Sequence, residues 1–574
     1  MESGDYVREA KKAKPMPAAD HGDGGVDRIS TLPDDVIVSI LRLVGDARQV
    51  VRTGALSRRW RGVWTHVPAL RFHSGPRFVP PRGARRFAAF VDNVLALRAR
   101  SGSGIEKLGI SLHVCHARGK PTLAPPSARA AEGWIRYAAQ HAVRSFSFVV
   151  RALEKKTLGR DQEDDGGGGG HREEPVIALD VLPGSAKLET MHLFLGAARV
   201  RLPSTSVVFT SLTDLALGCL EIAADDSGHL LGRLLSPACC PSLQKLHLSA
   251  VRFEQDRAKE LVLETSTLLE LTMYSVETMK SLELRAPNLQ DLKIWSCKEL
   301  EALTVVSASG LKELTFSHNH LGVGIHGDLP CVRRLAISLS SHTHLDPFYN
   351  DSDINDTGIC LLKRCSSASC IHVDLDIPRK TLDGWVDLIK DKIPQLPNVT
   401  SLAVKVHPMS ERHSLGDGVV GLLTRFNSLS YLSLQLDEEF GWMIRRDDIY
   451  SKDAGHLAFI CDHEDHWISN KVSLAQLREA AFRGLTGTGC ELRFLRFVLE
   501  SATDLEKVTP RKEAGLAHLS RGTGTGAAAG STASLSLVFS CPGPWDSAAS
   551  GFCAADAAGT GLEPVSDPSL CVRL

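Results

Sequence analysis

Few residues in this chain have the types and spacing that chemistry requires. The stretch CDHEDHW places Cys461, His463 and His466 close together, and thiolate and imidazole groups are typical zinc ligands. No second ligand pair follows nearby, and ordinary surface loops often collect such residues. We therefore expect no metal here, with a zinc site as the sharper alternative.

The remaining cysteines do not indicate catalysis either. Cys360, Cys365 and Cys370 recur every five residues, which is typical of small buried hydrophobic positions. No C-x-x-C pair occurs in the chain, so the zinc-binding RING of a self-sufficient ligase is not indicated. No cysteine is accompanied by an evident base that would activate it for thioester chemistry. The sequence predicts no catalytic residue.

A glycine-rich stretch, DQEDDGGGGGHREEP at residues 161–175, raises the question of phosphate binding. A phosphate-binding loop also needs a Lys-Ser/Thr pair and a strand-to-helix context, and both are missing here. The stretch is too polar and too rich in glycine to pack, so we expect an exposed loop. No cofactor is predicted.

Composition limits the classes of partner. The 574 residues carry 66 Lys and Arg against 67 Asp and Glu, a net charge of -1, so neither nucleic acid nor an anionic membrane is implied. The first thirty residues lack the apolar segment of a secretion signal, and no apolar run approaches the ~18 residues of a membrane span. The 14 cysteines then indicate a reducing compartment, cytosol or nucleus. The tetrapeptide KKAK at 11–14 is either a nuclear signal or simply solvated charge.

A compact helical block comes after a polar leader. Pro33 fits a first helical turn, and an apolar face is predicted at Val36, Ile37, Ile40, Leu41 and Val44. After a break at Gly45 and a short second segment, Ser57 is predicted to cap a third helix. That helix has an apolar stripe of Trp60, Val63, Trp64 and Val67. A unit this small buries too little surface by itself, so it either docks a partner or caps the larger part of the chain behind it.

The rest of the chain is dominated by a repeated L-x-x-L-x-L pattern. Its equivalent middle positions are separated by 31, 25, 21, 22 and 21 residues; they are Leu215, Leu246, Leu271, Leu292, Leu314 and Leu335. This period is typical of a leucine-rich-repeat solenoid, in which neighbouring turns must stack to hide their apolar sides. Copies half a period out of phase begin near 279 and 300 and predict extended structure on both sides of those turns. The outward positions, which we expect to line a broad concave face, include His247, Lys293, Trp295 and Thr315.

Two segments resemble known plant families. LPDDVIVSIL, then LSRRW with a second tryptophan four residues on, then VPALRF resemble the F-box of plant F-box proteins over residues 30–72. Residues 473–510, where an apolar helix with Leu492, Leu495, Phe497, Val498 and Leu499 precedes ATDLEK, resemble the FBD segment of plant F-box/leucine-rich-repeat proteins. We expect the second segment to cap the open end of the solenoid.

The resemblance implies an α/β architecture, a small three-helix F-box followed by a leucine-rich-repeat solenoid with disordered tails. The expected organisation is a disordered leader at 1–26, an F-box at 27–73, a solenoid at 74–470 with a disordered loop at 154–175, an FBD-like cap at 471–510 and a low-complexity tail at 511–574.

The F-box resemblance also implies partners. It implies docking to a Skp-type adaptor, which attaches to a cullin and to a RING subunit carrying the ubiquitin-conjugating enzyme. By that resemblance, the residues expected at the adaptor interface are Leu32, Pro33, Val36, Ile40 and Leu41. Those expected to pack the helices or extend the contact are Leu56, Ser57, Trp60 and Trp64.

The predicted function is substrate recognition in a cullin-type ubiquitin ligase, without catalytic residues, with an unknown protein substrate on the repeats. Two alternatives stay open. One is a protein-binding scaffold without ubiquitin transfer, and the other is a ligand-dependent receptor of the same architecture.

Overall fold

A computed structural model describes most of the chain. The described residues are 31–74, 82–152 apart from 115, 118–119, 122–124 and 142, then 176–179, 184–203, 207–223, 227–254, 260–319, 322–340, 351–377, 392–408, 415–436, 468, 472–484, 489–511, 536–537 and 572–573. The predictions for the leader at 1–26, for the glycine-rich stretch at 161–175 and for Cys461, His463 and His466 lie outside them. The chain divides between Val67 and Pro68 into two compact units.

The first unit consists of three short helices. They are α1 (Asp34–Leu43), α2 (Ala47–Arg52) and α3 (Arg58–Val63), with single 3-10 turns at Thr53–Ala55 and Trp64–His66. Gly45, with φ of 74°, comes after α1, and the Asp46 carboxylate caps α2 by accepting a hydrogen bond from the Arg48 N–H at 2.8 Å. The Ser57 hydroxyl caps α3 by accepting from the Trp60 N–H at 3.3 Å, which confirms that predicted cap.

The core of this unit buries only part of the apolar face of α1. The predicted stripe of the third helix, Trp60, Val63, Trp64 and Val67, is buried along its whole length. Of the apolar residues predicted on α1, however, only Ile37 and Leu41 are buried. Val44 is half-buried, while Val36 and Ile40 are exposed. The apolar sector of α1 is therefore wider than the surface that the unit itself covers.

The second unit is built mainly from parallel strands. In chain order they are β1 (Ala69–His73), β2 (Lys107–Val114), β3 (His116–Ala117), β4 (Lys120–Pro121), β5 (Ser145–Ala152), β6 (Val176–Ala178), β7 (Thr190–Arg201), β8 (Asp214–Ile222), β9 (Lys245–Phe253), β10 (Glu260–Glu264), β11 (Glu270–Tyr274), β12 (Ser281–Arg285), β13 (Asp291–Trp295), β14 (Ala302–Ser307), β15 (Glu313–Ser317), β16 (Gly324–His326), β17 (Arg334–Ser340), β18 (Cys370–Ile377), β19 (Ser401–Pro408), β20 (Tyr431–Leu436), β21 (Glu479–Arg483), β22 (Lys507–Arg511), β23 (Ser536–Leu537) and β24 (Val572–Arg573).

Two sheets alternate along the chain. The main sheet runs in parallel through β1, β2, β5, β7, β8, β9, β11, β13, β15, β17, β18, β19, β20, β21 and β22. Between its strands the chain adds β10, β12, β14 and β16 to a second parallel sheet. Each repeat in this region therefore contributes one strand to each sheet, as the half-period copies predicted, and the described second unit is a leucine-rich-repeat solenoid.

Helices occupy the connections elsewhere in the second unit. They are α4 (Arg82–Ser101), α5 (Pro125–Gln140), α6 (Ser227–Leu234), α7 (Asp351–Arg364), α8 (Leu415–Leu423) and α9 (Gly489–Ser501). Among the helices of the described residues, none is both long and apolar enough to cross a membrane.

The leucines at the predicted middle positions form one continuous row. Leu215 pairs with Leu246, and the pairing continues from strand to strand through Leu271, Leu292, Leu314 and Leu335. Every member of the row is at most 3% exposed. Stacking of these side chains between successive turns forms the core of the solenoid.

A left-handed residue occurs at the same point of five successive repeats, inside β8 and β9 and directly after β11, β13 and β15. Its φ lies between 49° and 57° in Cys219, Ala250, Ser275, Ser296 and His318. Each of these residues comes one position after a row of residues paired across the sheet. A non-glycine residue is rarely left-handed, so its recurrence shows that the backbone of these five repeats bends at the same point.

Between residues 479 and 511 the chain forms a strand, a helix and a strand, as predicted. β21 and β22 extend the main sheet, and α9 lies between them in sequence. The buried residues of α9 are Phe494 and Val498, whereas Leu495 and Phe497 are half-buried and Leu499 is exposed. The Leu492 side chain lies outside the described part. The helix is thus anchored by an i, i+4 pair, of which the sequence pattern had indicated only Val498.

Candidate docking surfaces

An apolar stripe on α1 is left uncovered in the first unit. Val36, Ile40 and Leu43 are 38%, 44% and 86% exposed, and their spacing of four and three residues places them on one side of the helix. Ile37 and Leu41, on the adjoining side, are 0% and 2% exposed. We call Val36, Ile40 and Leu43 the α1 stripe.

Two other residues of the unit add to its apolar exterior. Leu56, between the 3-10 turn and α3, is 69% exposed, and Pro33, at the N-cap of α1, is exposed as well. Soluble proteins scatter single apolar residues over their surfaces, but several on one small unit indicate an interaction site.

The residues predicted to serve adaptor docking fall into three groups in the structure. Exposed are Pro33, Val36, Ile40, Leu56 and Ser57; half-buried is Leu32; buried are Leu41, Trp60 and Trp64. The apolar surface of the buried residues is already packed, so they belong to the core of the unit. The exposed residues are accessible to a partner. Leu43 is not among the residues predicted from the sequence, although its position seven residues after Val36 is a signal for the same side of the helix.

The outer face of the main sheet is the second accessible surface. His247, Thr272, Lys293 and Thr315 are paired in one row across adjacent strands, and they alternate with the buried leucines. Lys293 is exposed, while His247, Thr315 and the neighbouring Trp295 are half-buried. The four residues predicted to point outward therefore do so.

Ion pairs run across the edge of this face where the strands begin. Lys245 pairs with Glu270 at 2.7 Å, and Lys507 pairs with Glu479 at 2.6 Å. Each pair joins residues in register on neighbouring strands. Because the four side chains are 37–52% exposed, each pair contributes only ~0.2–1 kcal/mol. These charges therefore favour the register rather than supply most of the stability.

Imidazole groups surround one buried carboxylate on the outer face. The Asp374 side chain is 5% exposed, and its oxygens lie 3.6 Å from His318 Nε2, 3.4 Å from His372 Nε2 and 3.7 Å from His407 Nε2. Burial alone would raise the pKa of the Asp374 carboxyl, but the imidazoles of His372, His407 and His318 outweigh burial and hold that pKa far below its usual value. Burial would lower the pKa of His407, yet Asp374 and Asp376 raise it. The carboxylate of Asp374 is therefore anionic.

The three cysteines spaced five residues apart lie within the solenoid. Cys360 belongs to α7, Cys365 comes directly after that helix, and Cys370 begins β18. Cys365 is buried, and desolvation by burial raises the pKa of its thiol to about 12. Such a thiol is neutral and unreactive near neutral pH, which agrees with a packing role for Cys365.

A small helical unit precedes a stacked parallel-strand solenoid in this chain. The family model described as "FBD-associated F-box protein At5g56370, LRR repeats" matches residues 182–372. The chain is thus similar to the plant FBD-associated F-box and F-box/leucine-rich-repeat proteins, which confirms the resemblance drawn from the sequence.

Individual relatives from Arabidopsis thaliana agree with this assignment. The putative FBD-associated F-box protein At5g50270 is 21% identical over 402 residues, which cover 67% of this chain and 82% of that protein. The putative FBD-associated F-box protein At5g56440 is 27% identical over 296 residues, 50% of this chain and 54% of that protein. F-box/LRR-repeat protein 25 is 46% identical over 46 residues, 8% of this chain and 18% of that protein.

Proposed function

We propose that this chain is the substrate-recognition subunit of an SCF-type ubiquitin ligase. The first unit docks a Skp-type adaptor, and the adaptor connects the chain to a cullin and a RING subunit. The solenoid holds the target protein on its outer face. The family of the relatives supports this role in general terms, and the exposed apolar residues of the first unit support the docking step in particular.

The observation that carries the proposal is the α1 stripe. Fully burying an exposed Val, Ile or Leu side chain contributes ~1.5–3 kcal/mol. A partner that covers Val36, Ile40 and Leu43, which are 38%, 44% and 86% exposed, gains the corresponding fraction from each. The buried neighbours Ile37 and Leu41 hold the helix in place from the other side. A rigid helix with one side packed and one side free costs little conformational entropy to dock.

Ubiquitin transfer in this scheme depends on proximity. A target held on the solenoid is presented to the conjugating enzyme at high effective concentration, so the recognition subunit needs no reactive group of its own. The polar and charged residues of the outer face, such as Lys293 and Thr315, are suited to select the target because they are accessible and belong to a rigid sheet.

The test is to compare the proteins that co-purify with the chain while the proteasome is inhibited. The intact chain is compared with a V36D/I40D variant, in which two charges replace the first two residues of the α1 stripe. A V306D variant is the matched control, because Val306 is 58% exposed in β14 of the solenoid.

We expect the same candidate targets with all three chains, but ubiquitinated targets only with the intact chain and V306D. A target that is ubiquitinated equally with V36D/I40D would contradict the proposal. Adaptor binding without ubiquitination of any captured protein would favour the scaffold alternative. Capture that depends on an added small molecule would favour the receptor alternative.

A further inference from the structure

Three side chains from distant parts of the sequence meet on the outer face of the main sheet. His318 comes directly after β15, Asp374 lies in β18 and His407 lies in β19. One potential ligand atom from each lies within 4.8 Å of the others. We call these three residues the His–Asp cluster.

A small residue on the strand between His318 and Asp374 allows these two side chains to approach each other. β17 separates β15 from β18, and at the level of Asp374 it carries Ser338. The Ser338 hydroxyl accepts a hydrogen bond from the backbone N–H of His318 at 2.9 Å. A serine here leaves space for the His318 ring to reach across β17 to Asp374.

The nitrogen–oxygen distances in the cluster are longer than those of short charge-assisted hydrogen bonds. His318 Nε2 and His407 Nε2 lie 3.6 Å and 3.7 Å from the Asp374 oxygens. A charge-assisted N–H···O bond is shorter, ~2.7–2.9 Å. Two ligands at ~2.0–2.2 Å from a tetrahedral zinc ion are separated by about 3.4 Å. One donor atom from each residue lies within 4.8 Å of the other two, so coordination of a single ion requires the cluster to contract.

The donor set has the composition of a transition-metal site. Two imidazoles and one carboxylate are a common set of protein ligands for Zn²⁺ where one position stays open. The Asp374 carboxylate is 5% exposed, and a buried anion needs positive charge close by. His372, whose Nε2 lies 3.4 Å from Asp374 Oδ1, is placed to orient the carboxylate from outside the cluster.

An aromatic contact fixes the orientation of one donor. The Trp295 ring stacks on the His318 ring with centroids 5.1 Å apart and planes 23° apart. The His318 and His407 rings are edge to face at 5.7 Å. Such packing restricts the ring orientations before any ion binds, which is what a preorganised metal site requires.

We infer that His318, Asp374 and His407 bind one divalent transition-metal ion of the Zn²⁺ class on the outer face of the solenoid. The remaining coordination position is available to water or to a donor group of a bound molecule. The His318 side chain is 30% exposed, so the site is accessible from outside. Metal binding at the cluster does not depend on adaptor docking or on ubiquitin transfer.

The experiment is a titration of the full chain with Co²⁺, followed by absorption, and with Zn²⁺, followed by calorimetry. Both use a background variant C461S/H463Q/H466Q, which removes the alternative zinc site at those three residues from the measurement. D374N and H407Q are introduced separately into this background. H192Q is the matched control, since His192 is an outer-face histidine that pairs with Asp214 at 3.3 Å. Circular dichroism checks that each variant is folded.

We expect saturable binding of one ion at the His–Asp cluster, with cobalt d–d bands and no thiolate charge-transfer band. D374N and H407Q should each weaken binding at least about tenfold, and H192Q should bind like its parent. Failure of the parent to bind either ion saturably overturns the inference. Binding that is unchanged in both folded variants, D374N and H407Q, overturns it equally.

Discussion

Arg59 of α3 donates a hydrogen bond from Nε to Oδ1 of Asp34, in the first turn of α1, over 2.7 Å. The contact joins the third helix to the start of the helix that carries the α1 stripe. Its side chains are 36% and 65% exposed, so water screens the charges and the pair contributes ~0.2–1 kcal/mol at most. The buried tryptophans therefore stabilise the first unit more than this ion pair does.

Replacing Trp60 should destabilise the first unit far more than replacing Arg59. Trp60→Ala removes a side chain that is 9% exposed and should cost ~3–5 kcal/mol, whereas Arg59→Ala should cost about 1 kcal/mol or less. Hydrogen exchange of residues 34–67 in the full chain, read by mass spectrometry, measures both. Equal loss of protection in the two variants would show that the tryptophan is not part of the core.

Truncating a leucine at the centre of the leucine row should destabilise the solenoid, whereas truncating its outward neighbour should not. Leu292 is 0% exposed and is paired with a leucine on each side. Leu292→Ala should therefore lower the stability of the solenoid by ~2–5 kcal/mol. Lys293→Ala, one residue further on the outer face, should change it by no more than about 0.5 kcal/mol. Urea unfolding followed by circular dichroism distinguishes the two, and similar midpoints would argue against the described register.

Gly327 should be intolerant of any side chain. Its φ is +105°, and a Cβ there would lie 2.2 Å from the Val305 carbonyl oxygen, so both the backbone conformation and the space require glycine. Gly327→Ala should lower the melting temperature of the solenoid by several degrees.

The control for Gly327 is Gly133→Ala in α5. A Cβ at Gly133 would meet nothing within 4 Å, and alanine is favoured over glycine inside a helix by ~0.5–1 kcal/mol. This variant should be at least as stable as the parent chain. A Gly327→Ala chain that melts with the parent would contradict the structure around β14 and β16.

Buried thiols should resist alkylation until the solenoid unfolds. Desolvation by burial raises the pKa of Cys240 and Cys365 to about 12 and that of Cys297 to about 11. The reactive thiolate is therefore scarce at pH 8 in the folded chain. Iodoacetamide labelling read by peptide mass spectrometry should modify exposed Cys331 first and the three buried residues only after urea is added. Labelling of Cys297 at the rate of Cys331 would contradict its burial.

The repeat architecture could be predicted from sequence because its signal is local and periodic. The separations between Leu271, Leu292, Leu314 and Leu335 are close to one turn of the solenoid, and the structure pairs these leucines directly. A strand that alternates inward and outward residues also defines its outer face. The outward positions of Lys293 and Thr315 could therefore be predicted with the fold.

Which apolar residues of α1 are buried and which are exposed could not be predicted in the same way. Helical periodicity placed Val36, Ile37, Ile40 and Leu41 together in one apolar sector, but tertiary packing decides which side of a wide sector is covered. The structure covers Ile37 and Leu41 and leaves the α1 stripe exposed.

The His–Asp cluster had no sequence signal at all. His318 and Asp374 are 56 residues apart, and Asp374 and His407 are 33 residues apart, whereas metal motifs that can be recognised in a sequence have ligands a few residues apart. Only the register of β17, β18 and β19 brings these residues together.

Adaptor affinity is the decisive measurement for the proposed role of the first unit. The full chain and its V36D/I40D and V306D variants are titrated with a purified Skp-type adaptor by calorimetry, after circular dichroism has shown that all three are folded. Charges in the α1 stripe should weaken binding at least about tenfold, because buried apolar anchors dominate such interfaces, while V306D should bind like the parent chain. Unchanged affinity of a folded V36D/I40D chain, or no adaptor binding by the parent, would contradict adaptor docking through the α1 stripe.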